Sequence, residues 1–141
     1  MRFPVPLEIL DKLRVVRDAR AYIDEIEERE DAFLLDPGLG PSAYLTADGR
    51  VLIDPRDYDA EPLREATEDE AISYLVVGAR KTGVGELLAL LPAPAPGSKK
   101  CARCEGRRWV RLSVQDEENP SFAVVCGDCS GRGWTGGLRS I

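Results

Sequence analysis

The sequence predicts an α+β protein: a helix-rich acidic body with one β-hairpin over residues 1–91, followed by a small zinc-bound β-hairpin module over residues 101–141. Three observations predict it. Apolar residues recur at helical spacing near the N-terminus. Ala47-Asp48-Gly49 sits between two β-type runs. Two Cys-x-x-Cys pairs, Cys101/Cys104 and Cys126/Cys129, hold all four cysteines of the 141-residue chain.

In the body, Ile9, Leu13, Val16, Ile23 and Ile26 lie near helical spacing with charged residues between them. The pattern predicts one long amphipathic helix from after Pro6 to about Glu30, its apolar stripe closing the core. Ala32-Phe33-Leu34-Leu35 then leads the chain into an Asp36-Pro37-Gly38 turn. Ala43–Thr46 and Arg50–Ile53 flank Ala47-Asp48-Gly49 and predict the body's one hairpin, with glycine at the left-handed turn position.

Thr67-Glu68-Asp69-Glu70 has the capping-box pattern and predicts a helix that runs to about Lys81 and stops at Gly83. Glu86–Leu91 predicts a last short helical segment, ended by Pro92. Residues 92–100 alternate proline with small residues and predict an extended linker.

The cysteine pairs carry the chemistry. Each belongs to a Cys-x-x-Cys-x-Gly knuckle, in which two thiolates converge from a tight turn and a glycine, Gly106 or Gly131, takes a positive φ. The chain has no histidine, so four-cysteine tetrahedral coordination by Cys101, Cys104, Cys126 and Cys129 is the complete soft-ligand set, with one structural Zn2+ as the default metal. Four thiolates close the shell, whereas catalytic zinc keeps a position for water. A competing reading is a thiol redox switch, since paired cysteines also form disulfides.

Both knuckles continue through arginine to tryptophan, Arg107-Arg108-Trp109 and Arg132-Gly133-Trp134, a short internal repeat. On these residues the C-terminal third resembles the cysteine-rich zinc module of DnaJ-type chaperones, whose unit is Cys-x-x-Cys-x-Gly-x-Gly. The second knuckle matches that unit in full, while the first has Arg108 at the second glycine. Two units are present where full chaperones carry more, and no His-Pro-Asp motif exists without histidine. Trp109–Val114 and Ser121–Val125 are β-type runs joined by a polar turn over Asp116–Pro120, a plan shared with a general zinc ribbon, a kind of zinc finger. Both module types stay open.

The order helix, hairpin, helix, short helix, with AYLTADGRVLI and the closing ELLALLP, resembles bacterial immunity proteins of the SUKH superfamily. That resemblance covers about the first two thirds and implies a small acidic protein that neutralises a toxin by binding it.

Charge divides along the same line. Residues 1–98 hold 11 basic and 20 acidic side chains, a formal −9, and residues 99–141 hold 8 and 5, a formal +3. The acidic body disfavours nonspecific nucleic-acid binding, while the basic module leaves a local phosphate contact through Lys99, Lys100, Arg103, Arg107, Arg108, Arg111 and Arg132 beside Trp109 or Trp134. Burial in a miniature core is the alternative for the tryptophans. A hydrophobic content of 43% is enough for an ordinary core. MRFPVPLEIL lacks a continuous apolar signal region and no later run reaches spanning length, which predicts a cytoplasmic protein with reduced thiols.

No catalytic constellation is apparent. Asp54, Asp57, Asp59 and Glu61 do not follow the EF-hand spacing and predict a solvated loop. Gly78, Gly83 and Gly85 superficially suggest a phosphate loop but lack the Walker order, so helix termination is expected there. The expected function is therefore non-enzymatic: protein–protein interaction as an immunity or antitoxin-like inhibitor or adaptor. The alternative is a nucleic-acid-associated regulator.

Overall fold

The computed structural model describes residues 2–37, 41–55, 62–111 and 123–136. The chain divides into two compact units, Met1–Leu91 and Pro92–Ile141.

The first unit is α+β. Its helices are α1 (Leu7–Asp18), α2 (Glu25–Glu30) and α3 (Glu68–Thr82), followed by a 3-10 helix over Gly85–Leu90. Its strands β1 (Ala32–Asp36), β2 (Ser42–Thr46), β3 (Val51–Asp54) and β4 (Arg64–Glu65) form one antiparallel sheet in sequence order. The expected hairpin is β2–β3, with Tyr44 opposite Leu52 and Leu45 opposite Val51. Gly49 closes its turn at φ 91°. There its carbonyl accepts the Phe3 amide at 2.7 Å.

Two expectations about the order of elements in this unit are corrected. The first is the single long helix, which the structure breaks between Asp18 and Glu25. Asp24 starts α2 with its own capping box: its side chain accepts the amides of Ile26 and Glu27, and the Glu27 side chain reaches back to the Asp24 amide. Two reciprocally satisfied amides make a helix start, which a continuing helix cannot accommodate.

The second is the body with one hairpin. Ala32–Asp36 is itself a strand, pairing Phe33 with Leu45 and Leu34 with Tyr44, so β2–β3 is the middle of a four-stranded meander. Two backbone groups on the free edge of β1 are bonded by side chains. Glu27 Oε2 accepts the Leu34 amide at 2.9 Å, and Arg17 Nη1 donates to the Ala32 carbonyl at 3.1 Å. Those bonds occupy backbone groups that an open edge would offer to another chain.

One face of the sheet carries Phe33, Leu35, Ala43, Leu45, Val51 and Ile53 into the core, where they join Ile9 and Leu13 of α1, Leu75 of α3 and Leu87 of the 3-10 helix. The period-two alternation of the strands produces that face. The capping box predicted for α3 is present, Thr67 with Glu70, and Gly83 ends the helix at φ 78°. Gly78 does not terminate anything. It lies inside α3, where a Cβ would stand 2.5 Å from Leu35 Cδ2, so its missing side chain is what lets the helix rest on β1.

The second unit has strands β5 (Ser98–Lys100), β6 (Trp109–Arg111), β7 (Ala123–Val125) and β8 (Trp134–Gly136). β6 pairs with β7 and β5 with β8, both antiparallel. The expected hairpin is β6–β7. The expected linker over 92–100 is corrected at its end, because Ser98–Lys100 is a paired strand. The polar turn over 116–120 and the outer ends of both β-type runs lie outside the described residues.

Candidate metal centre

The knuckles come together across a pseudo-twofold relationship in which residue n of the first corresponds to residue n+25 of the second. Cys101 corresponds to Cys126 and Cys104 to Cys129. The amide of Cys101 donates to the Gly133 carbonyl at 3.0 Å, and the amide of Cys126 donates to the Arg108 carbonyl at 2.9 Å. Likewise β5, which enters the first knuckle, pairs with β8, which leaves the second. β7 and β6 do the reverse. Each knuckle is therefore held by the other's exit strand, which fixes both turns face to face.

Within each turn the backbone repeats closely. Glu105 and Ser130 lie at φ 54° and 55°, Gly106 and Gly131 at 80° and 84°, and Arg108 and Gly133 at 73° and 85°. Gly106 and Gly131 thus occupy the left-handed position expected of them.

The turns deliver four buried cysteines whose sulfurs all lie within 4.8 Å of one another. Cys101 Sγ is 3.8 Å from Cys126 Sγ, and Cys104 Sγ is 3.7 Å from Cys129 Sγ. A tetrahedron with metal–sulfur bonds of about 2.3 Å has edges of about 3.8 Å, so these two pairs already stand at the spacing of tetrahedral thiolate coordination. None of the four is in a disulfide. Val110 of β6 packs against the cluster. All four cysteines predicted as ligands are brought together, and the arrangement can hold a metal ion.

The environment of the sulfurs is uneven. The backbone amide of Cys104, followed by that of Arg103, holds the Cys101 thiol down to about 7. Burial pushes the Cys129 thiol up to about 12, against the amide of Gly133, which donates to its sulfur at 3.3 Å. A divalent cation bound here would hold all four sulfurs as thiolates, leaving a net charge of −2.

The basic residues of the second unit are less free than the sequence suggests. Arg103 Nη1 lies 3.3 Å from Asp128 Oδ1, an ion pair between corresponding positions of the two knuckles, and Arg107 lies 3.6 Å from Glu105. Arg108 is half-buried and engaged within the unit. Its Nη1 donates to the Gly131 and Arg132 carbonyls at 3.0 and 2.7 Å. Lys99 and Lys100 are exposed on β5, and Arg111 is exposed at the end of β6. Arg132 stands over the Trp134 ring at 5.9 Å from its centroid. Trp109 and Trp134 are both half-buried.

In the first unit, Asp54 ends β3 and is half-buried. Asp57, Asp59 and Glu61 lie outside the described residues. Gly78, Gly83 and Gly85 are spread over α3, its cap and the following 3-10 helix. Sequence reasoning missed the inward role of Arg108. The available signal was its place at the one position where the two knuckles differ in the Cys-x-x-Cys-x-Gly-x-Gly pattern.

Fold and site together define a two-unit α+β protein with a buried four-cysteine cluster of metal-binding geometry. Comparison with protein-family models, curated proteins and solved structures finds no match for the chain. No helix among the described residues is long and apolar enough to cross a membrane.

Proposed function

We propose that the protein is a non-enzymatic, zinc-binding protein that acts by binding another protein, its C-terminal unit built around one structural Zn2+. The observation that carries this reading is the cluster itself. Four buried sulfurs within 4.8 Å make a complete tetrahedral donor set, the arrangement of sites whose metal stabilises a fold. The formal −9 of residues 1–98 suits that region to cover a basic surface on its partner, which supports an immunity or antitoxin-like inhibitor or an adaptor. The resemblance of the body to SUKH immunity proteins points the same way. The reading places the protein in the cytoplasm, where thiols stay reduced.

Native mass spectrometry of the protein purified without added metal or reductant tests the metal reading. One zinc per chain is expected. A metal-free chain lighter by the hydrogens of two disulfides supports the thiol switch instead. Metal-dependent turnover of a substrate by the purified protein overturns the non-enzymatic reading.

A second reading, a nucleic-acid-associated regulator, draws on Lys99 and Lys100 exposed on β5 and on Arg132 stacked over Trp134. It predicts salt-sensitive binding of the chain to DNA or RNA. Absence of binding at low salt removes it.

A further inference from the structure

We infer that Arg108 is a positioning residue of the metal centre, a clamp that ties the two knuckles together through its side chain and its main chain; this rests on the metal reading above. Arg108 and Gly133 are corresponding residues, and both have left-handed backbones, φ 73° and 85°. Such a backbone favours glycine and is strained for arginine. Gly133 is confined as well: a Cβ there would stand 3.1 Å from the Gly106 carbonyl oxygen. On one side of the pseudo-twofold axis, then, glycine packs directly against the opposite turn. On the other side a long cation spans the equivalent gap.

What Arg108 reaches explains why it is kept at a strained position. Its Nη1 donates to the carbonyls of Gly131 and Arg132. Those residues follow Cys129 in the second knuckle, while Arg108 itself follows Cys104 in the first. Its backbone carbonyl also accepts the Cys126 amide at 2.9 Å. One residue therefore joins a ligand-bearing turn to its counterpart through both main chain and side chain. Partners of this kind, outside the ligand set itself, hold the ligand-bearing turns in position.

The test is the rate at which zinc passes from the full-length protein to the chelator 4-(2-pyridylazo)resorcinol, for wild type, Arg108→Gly and Arg108→Lys. Glycine relieves the backbone and removes the side-chain bonds, and lysine keeps a long side chain with a donor at its end. Arg108→Gly is expected to release zinc about tenfold faster, the scale of losing an outer-shell partner, with Arg108→Lys between the two. The cobalt(II) form reports geometry independently: its thiolate charge-transfer band should weaken at equal metal in Arg108→Gly and recover in Arg108→Lys. Zinc held by Arg108→Gly as long as by wild type overturns the clamp while leaving the metal site standing. A wild-type chain that binds no zinc overturns the metal reading and the clamp with it.

Discussion

Gly78 of α3 and Leu35 of β1 are in direct contact: a Cβ built on the glycine would lie 2.5 Å from Leu35 Cδ2 and 3.1 Å from its Cβ. The helix and the first strand of the sheet are therefore spaced for a residue without a side chain. Leu35 is fully buried and has nowhere to retreat without disturbing the core around it. Gly78→Ala should destabilise the first unit by about 1–3 kcal/mol, the usual cost of overpacking, despite alanine's better helix propensity. Urea denaturation followed by circular dichroism measures it. A variant as stable as wild type would mean that α3 does not rest on β1.

Glu27 is a fully buried acid. Its carboxylate pairs with Arg20 and accepts the Leu34 amide, while the neighbouring Asp24 accepts the Tyr44 hydroxyl at 2.6 Å. Glu27→Ala leaves the Leu34 amide unpaired and removes the partner of Arg20, which should cost about 3 kcal/mol. Glu27→Gln can still accept the amide and should cost less. Equal denaturation midpoints for the two variants would show that the ion pair, rather than the strand-edge bond, dominates.

A pH effect follows from Glu70 at the start of α3. Arg64 donates to both of its oxygens, at 2.9 and 2.8 Å, and holds its carboxyl down to about 2 from an ordinary value of 4.5. Between those values the unfolded chain binds more protons than the folded one. The contribution is complete above pH 4.5 and is lost as the pH falls toward 2. Both side chains are partly exposed, so solvent screening limits it to about 1 kcal/mol or less. Arg64→Ala should flatten that segment of the stability profile, and an unchanged acid slope would count against the pair.

Cys104→Ser or Cys129→Ser removes one corner of the cluster. The second unit should lose its protease resistance, while the helices of the first unit keep their far-ultraviolet signal, because a metal bound at the cluster would supply most of the folding free energy of so small a module. Treating wild type with a strong chelator should reproduce the same digestion pattern. Identical patterns before and after substitution would argue that the sulfurs hold no metal.

Legibility followed the range of the interactions. The Thr67–Glu70 cap and the turn at Gly49 are present where the sequence places them. Each depends on residues within a few positions of one another. The start of α2 was equally local, since Asp24-x-x-Glu27 has the acid-at-cap, glutamate-at-N3 spacing, but the apolar residues Ile23 and Ile26 extend the helical period across it and conceal the break. β1 has only five residues and becomes a strand through its pairing with β2. In the second unit the four cysteines of the cluster were legible, whereas the crossed pairing of β5 with β8 and the inward turn of Arg108 were not.

By itself, then, the sequence determined the four cysteines, the left-handed glycines that shape their turns, the cap of α3 and the β2–β3 hairpin, because short-range spacing and backbone dihedral preference suffice for each. Only the tertiary structure decided that Glu27 and Arg17 bond backbone groups at the edge of β1, that Gly78 is a packing contact, and that Arg108 joins one knuckle to the other. Those features depend on which groups meet across 7 to 43 positions of sequence. Meetings of that kind are fixed by burial and by the need to pair buried polar groups, which no local pattern encodes.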